Sequence, residues 1–196
     1  MGKIILTLLL SVNLLFGQNP IETANTYTLA KKNTIYKELL YVSVKTQKMY
    51  HIINNEIVKT YTISTAEKGI GNIKNSDQTP LGLHSVKEKH GDNTPIKGRM
   101  IGRVFYGQIA TIYNDSSRSK TDDVTTRILW LSGEEEGINK GDNIDSYQRY
   151  IYIHGTSEEG RLGTPASHGC IRMKNTDVLE LYNKIALGTK VLILDK

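Results

Sequence analysis

Apolar residues along this chain fall into short runs broken by turn chemistry. Residues 39–45 read Leu-Leu-Tyr-Val-Ser-Val-Lys, residues 49–53 read Met-Tyr-His-Ile-Ile, and residues 57–65 follow after Asn54, Asn55 and Glu56. Such runs, rich in β-branched and aromatic side chains, predict a meander of antiparallel strands. Residues 81–86, 126–131 and 150–153 continue the series, and the last of them delivers His154 at its end. Near the C-terminus the period changes. Val178, Leu181, Tyr182 and Ile185 stand at i, i+3, i+4 and i+7, the stripe of an amphipathic helix. Asn175 is expected as its N-cap, Asp177 in its first turn and Gly188 at C′. Residues 191–194 form a closing strand. The pattern predicts a mainly β domain with a few short helices.

The polar stretches between these runs divide the chain. Residues 18–38 carry only scattered apolar positions (Leu29, Ile35, Tyr36) and predict a linker with a short helix. Residues 69–80 form a Gly/Asn/Ser/Asp loop. Residues 110–123 and 133–146 are long excursions dense in Asp, Ser, Gly and Asn, and loops of that length in a compact domain are functional or disordered. No internal repeat or low-complexity tract is present.

The first 17 residues read differently. Lys3 precedes a nearly unbroken apolar run over residues 4–16, the length of a signal h-region and short for a membrane-spanning helix. Gly17-Gln18-Asn19-Pro20 ends it, so residues 1–17 are expected to be a secretory signal. Leu15 at the −3 position suits cleavage poorly, so retention as a membrane anchor is the alternative. The expected location is outside the cytoplasm, in the periplasm or cell envelope.

Charge narrows the partners. The chain has 25 Lys and Arg against 20 Asp and Glu, a net charge of +5. The basic residues are scattered, as at Lys31, Lys45, Lys87, Arg118 and Lys120, with little aromatic interleaving. That argues against nucleic acid and suits an anionic envelope polymer.

The candidate chemistry gathers around one cysteine. Cys170 lies in Ser167-His168-Gly169-Cys170-Ile171-Arg172, and His154 opens His154-Gly155-Thr156. In an exported chain a single cysteine has no internal disulfide partner, so reactivity, pairing with another chain or burial must explain it. A free thiol has a pKa of about 8.5, so a nucleophilic one needs a base or a positive environment. His168, two residues away, and His154, from a separate strand end, are both candidates. Gly155 and Gly169 allow close backbone approach, and N–H groups around Gly169 and Cys170 could form an oxyanion hole. Without a second cysteine, metal ligation ranks below catalysis. A buried apolar cysteine and a simple His-Gly turn are the plainer alternatives.

These residues carry a resemblance. Residues 153–156, residues 167–173, Asn175, Asp177 and Leu181-Tyr182 resemble the L,D-transpeptidase catalytic domain, the YkuD family. Upstream, residues 41–50 are similar to its opening hairpin, and Ser64-Thr65 and Thr79-Pro80-Leu81-Gly82 to its S-T-G and T-P-x-G stretches. The resemblance runs from residue 39 to the C-terminus and implies an L,D-transpeptidase-like β-sandwich. It implies Cys170 as nucleophile and His154 as general base, oriented by the Gly155 carbonyl. His168 would shape the site, and the N–H groups of Gly169 and Cys170 would hold the oxyanion. Arg172 would brace the site or meet a substrate carboxylate, with Ser167 and Gly163 lining the pocket.

The implied substrate is the peptidoglycan stem peptide. Cys170 would attack its third residue and expel D-alanine, and an amine from another stem would resolve the thioester into a 3→3 cross-link. Water in place of the amine would give an L,D-carboxypeptidase. A non-catalytic wall-binding protein is the third reading, from the basic charge and the long loops. No cofactor or metal is implied. Two departures stand out: Ala66-Glu67-Lys68-Gly69 interrupts the S-T-G stretch, and residues 133–147 look like an insertion, a candidate lid over the donor site.

Overall fold

The computed structural model describes residues 19–196. The expected signal over residues 1–17 lies outside the described residues. In chain order the elements are helix α1 (Pro20–Lys32), strands β1 (Glu38–Ser43), β2 (Lys48–Ile53), β3 (Glu56–Ser64), β4 (Gly82–His90), β5 (Gly98–Ile101), β6 (Val104–Ile109), β7 (Val124–Gly133), β8 (Tyr152–Gly155) and β9 (Ile171–Met173), helix α2 (Asn175–Lys184) and strand β10 (Lys190–Leu194). The domain is mainly β, as the runs predict. The β5–β6 hairpin is additional: Ile101, Val104 and Ile109 are exposed and only Met100 among its larger apolar residues is buried, so little alternation marks it in the sequence.

All ten strands join one sheet in the order β4-β10-β1-β2-β3-β9-β8-β7-β5-β6, and β4 also pairs with β7. That extra pairing, from His84↔Gly133 to His90↔Ile128, closes the sheet on itself. The sandwich is therefore a flattened ring, with the β5–β6 hairpin flaring off β7. Closure removes most exposed strand edges. The interior holds Leu40, Val42, Met49, Ile63, Leu129 and Ile153, and the stripe of α2 (Val178, Leu181, Tyr182) packs into it.

Helix α1 covers the outside of the ring. Asn19 caps it by accepting from the Ile21 N–H, and Pro20 occupies its first turn, where a missing N–H costs nothing. Ala24, with Ile21 and Tyr27, packs on Leu39, Tyr41, Ile52 and Leu192. This explains why β1 is buried on both faces and reads as a continuous apolar run instead of alternating. Residues 18–38, expected as a linker with a short helix, thus carry a 13-residue helix docked on the sheet.

Residues 133–146 are stapled down and do not form a free lid. The buried Glu135 carboxylate accepts from the Leu83 N–H at 2.6 Å and the Tyr27 hydroxyl at 2.9 Å. The Asn139 amide donates to the carbonyls of Leu81 and Leu83, both at 3.0 Å. The Ser146 hydroxyl meets His84 Nε2 at 2.9 Å. A segment tied at three points to β4 and α1 cannot swing over a site.

Two helix-end expectations are corrected. Lys174, not Asn175, is the N-cap of α2 and makes no side-chain capping bond, because the Asn175 side chain turns toward the sheet. Gly188 lies past the helix, which ends at Lys184 with Ile185 as its C-cap; it occupies the turn into β10 at φ +85°.

Candidate active site

Strands β7, β8 and β9 lie side by side, and their outward face carries the candidate chemistry. Strand β8 runs parallel to β9 with Ile153 opposite Ile171 and His154 opposite Arg172. Ile153 and Ile171 point into the ring. By the two-residue alternation of a strand, Tyr152 and His154 then share the other face with Arg172 and with Cys170 just before β9. Cys170 packs there against Met100, Ile128, Trp130 and Tyr152.

The thiol is held between a donor and an acceptor. The Tyr152 N–H donates to Sγ at 3.4 Å, and the Cys170 S–H donates to the Tyr150 carbonyl at 3.4 Å. Tyr150 reaches this position at φ +57°, which is unusual for a bulky residue and marks strain beside the nucleophile. Burial pushes the Cys170 thiol up to about 12, against the pull of the Tyr152 N–H, Arg172 and Arg149. At neutral pH it is a thiol, not a thiolate.

His154 complements this state. It is 1% exposed, and its Nδ1 lies 2.7 Å from the Gly155 carbonyl. A carbonyl can only accept, so Nδ1 carries the proton and Nε2 keeps a free lone pair. Burial holds the imidazole below its ordinary value, with Asp122 and the Gly155 carbonyl pulling the other way. The resting pair is neutral: a protonated thiol and a basic imidazole on one face.

The Gly155 carbonyl is itself positioned from below. Asn175 Oδ1 accepts from the hydroxyls of Thr125 at 2.7 Å and Thr126 at 2.5 Å, while its amide donates to the Thr156 carbonyl at 2.8 Å and to Glu159 at 2.7 Å. A Cβ at position 155 would stand 2.7 Å from Asn175 Oδ1 and 2.8 Å from Thr125 Oγ1, so only glycine fits. Thr126 lies in a bulge of β7 at φ +64°, strained for a β-branched residue.

The loop carrying Cys170 is braced by the upstream motifs. Ala166 and Ser167 both donate their N–H groups to the Thr65 carbonyl, and Thr79 Oγ1 donates to the Gly169 carbonyl at 3.0 Å. Gly169 adopts φ +129°, and a Cβ there would lie 3.3 Å from the Gln78 carbonyl. Ser167 is buried: its hydroxyl donates to the Cys170 carbonyl at 2.6 Å and accepts from the Gly169 N–H at 3.2 Å. Ser167 is therefore a brace inside the loop and not a pocket wall. The Gly169 N–H is thus engaged by the Ser167 hydroxyl.

The other candidate residues are placed as follows. Arg172 is 2% exposed, with Nη1 2.8 Å from Glu158 and Nη2 2.6 Å from Asp122. Both ends of its guanidinium are taken, so it braces the site and does not reach for a substrate carboxylate. His168 is at the rim, its Nδ1 2.7 Å from Asp122. Gly163 is exposed in the turn after Arg161, its N–H bound to the Ile63 carbonyl at 2.9 Å, and it borders neither cavity next to His168. Those cavities, of about 170 and 120 Å³, flank that side chain on two sides. Asp122, Glu158 and Asn175 are site residues whose roles the sequence conceals. Among the described residues no cluster of His, Cys, Asp and Glu could hold a metal ion.

A neutral thiol and an oriented imidazole on one face of a closed β-sheet are the equipment of a cysteine-dependent acyl-transfer enzyme. Residues 37–193 match the family model of the L,D-transpeptidase catalytic domain, YkuD, and the chain belongs to that family. It is 28% identical over 154 residues to "Putative L,D-transpeptidase YqjB" of Bacillus subtilis (strain 168), covering 79% of this chain and 69% of that protein. It is 40% identical over 48 residues to "Probable L,D-transpeptidase YbiS" of Escherichia coli (strain K12), 24% of this chain and 16% of that one. Among solved structures, the L,D-transpeptidase from Xylanimonas cellulosilytica DSM 15894 aligns with a TM-score of 0.51 at 17% identity, over 82% of this chain and 62% of the other. The Ldtfm–avibactam carbamoyl enzyme aligns with the same score and identity, over 83% of this chain and 50% of the other. These two likenesses are of fold.

Proposed function

We propose that this protein forms 3→3 cross-links between peptidoglycan stem peptides through a thioester on Cys170. The observation that carries the reading is the bond between His154 Nδ1 and the Gly155 carbonyl, which leaves Nε2 basic on the face that bears the thiol. His154 Nε2 takes the thiol proton as Sγ attacks the carbonyl carbon of the third stem residue. The Cys170 N–H stabilises the oxyanion. His154 then returns the proton to the departing D-alanine amine, and the C–N bond breaks to leave the thioester. An amine of a second stem attacks the thioester, passes a proton to His154, and releases the thiol as the new amide forms. A location in the cell envelope goes with this substrate.

Hydrolysis by water is the second reading. It is favoured by the stapling of residues 133–146, which removes the segment that could have closed over the intermediate.

The test incubates the purified protein with disaccharide-tetrapeptide and reads products by mass spectrometry. Cross-linked dimers with released D-alanine support the transpeptidase, and tripeptides alone support the carboxypeptidase. Cys170→Ala is expected to lose activity by on the order of 10³-fold or more and to lose covalent labelling by a carbapenem. A Cys170→Ala protein that still makes dimers would sink the reading.

A further inference from the structure

Arg149 carries a charge that nothing beside it neutralises. Its guanidinium donates to three neutral acceptors: the carbonyls of Gly71 at 3.1 Å and Gln78 at 2.7 Å, and the Ser76 hydroxyl at 3.4 Å. Among the described residues no carboxylate comes within ion-pair distance of it, whereas Arg172 has two. The side chain is half-buried. A half-buried cation with unused N–H donors and no counter-ion is set up for an anion that arrives from outside.

Its position ties it to the nucleophile. The Gln78 carbonyl that accepts from Arg149 is the one packed 3.3 Å from where a Cβ on Gly169 would stand. The next residue, Tyr150, supplies the carbonyl that accepts from the Cys170 thiol. Arg149 also opens onto the cavity of about 170 Å³ bordered by Tyr150, Ile151, His168 and Lys74. The one acid on that wall, Asp77, is paired to Lys68 at 2.8 Å. The cavity is thus cationic, and it shares Tyr150 with the thiol's hydrogen bond. Its volume is that of about five or six water molecules, the size of one small amino acid.

We propose that Arg149 reads the chain-terminal carboxylate of the donor peptide and so limits attack to the bond one residue from the end. This rests on the acyltransferase reading above. In that reaction the leaving residue carries a free carboxylate within one residue's length, at most about 3.6 Å of chain, of the carbon Cys170 attacks. Tyr150, whose carbonyl accepts from the Cys170 thiol, also lines the cavity beside Arg149, which puts the cavity next to the loop that holds the nucleophile. Arg172, the other arginine near the thiol, is 2% exposed and has both Nη atoms paired to Asp122 and Glu158, so it does not offer them to a ligand.

The test compares two donors in the full chain: a stem tetrapeptide with a free terminal carboxylate, and the same peptide ending in a carboxamide. The wild-type protein is expected to favour the acid roughly tenfold to hundredfold in kcat/KM, the range of one charge-assisted hydrogen bond. Arg149→Gln is expected to collapse that ratio toward one, and Arg149→Lys to restore part of it. An arginine that merely braces residues 71–78 would lower both rates together and leave the ratio intact. That outcome, or a wild-type protein indifferent to the terminal group, overturns the proposal. If the wild-type protein processes neither donor, the acyltransferase reading itself falls.

Discussion

At the scale of single residues, the chemistry turns on two protonation states. Burial keeps the Cys170 thiol protonated and the His154 imidazole neutral, so the proton moves only when a carbonyl is in place to be attacked. The acid limb of kcat/KM should therefore lie below 6.5, because His154 loses its basicity only below the ordinary imidazole value. Asp122 pulls that imidazole upward, so Asp122→Asn should move the limb further toward acid. A pH profile of the wild type and the variant checks both, and a limb at or above 6.5 in the wild type contradicts the assignment. These two residues were legible in the sequence, because a lone thiol and two histidines in fixed motifs leave few choices. The partners of Arg172 were not. Asp122 and Glu158 lie 50 and 14 positions from it, on loops whose composition resembles any solvated surface.

At the scale of elements, local signals and tertiary demands compete, and the losses are informative. Asn175 has the chemistry of an N-cap, yet three buried hydrogen bonds to Thr125, Thr126 and Thr156 and a partly buried one to Glu159 outweigh one capping bond. Helix α1 was hard to see for a different reason: its docked face is built from Ile21, Ala24 and Tyr27 amid threonines, and it offers little apolar area to a periodicity argument. The strands most visible in the sequence, β1, β7 and β10, are buried along most of their length. His84 on β4 shows how an element ties stability to pH. It is buried between the Gly82 carbonyl and Ser146, and burial lowers it to about 4. Above 6.5 it is neutral in both folded and unfolded chains. As pH falls from 6.5 toward 4, the unfolded chain takes up a proton that the folded chain refuses, so stability present above 6.5 is lost across that window. The loss is on the order of 3 kcal/mol at one pKa unit per 1.36 kcal/mol. Urea unfolding at pH 7.5 and 4.5 measures it, and His84→Gln should shrink the difference between the two values.

At the scale of the whole molecule, one carboxylate links three parts that are distant in sequence. Glu135 joins α1 through Tyr27 and β4 through Leu83, while its own segment leaves the end of β7. Glu135→Ala would strand a buried N–H and a buried hydroxyl, at a cost of about 2–4 kcal/mol. For a chain of this length that is a fall in Tm of roughly 5–15 °C, read by calorimetry. Carbapenem labelling of Cys170 should survive, since none of these groups touches the thiol. A variant that keeps its Tm would mean that the ring holds its helix by apolar packing alone. The closure of the sheet by β4 and β7 was beyond the sequence. Strand runs name the pieces, but which edges meet is decided by twist and core volume across the molecule.

The protonation state of the resting sulfur has a consequence for its survival. Peroxide and other oxidants attack thiolates, and a thiol pushed up to about 12 offers almost none at neutral pH. The low thiolate fraction that slows the resting nucleophile is also expected to slow its conversion to sulfenic or sulfonic acid between turnovers. A chain with one cysteine has no second thiol to repair such damage by disulfide exchange, so staying protonated at rest is its protection.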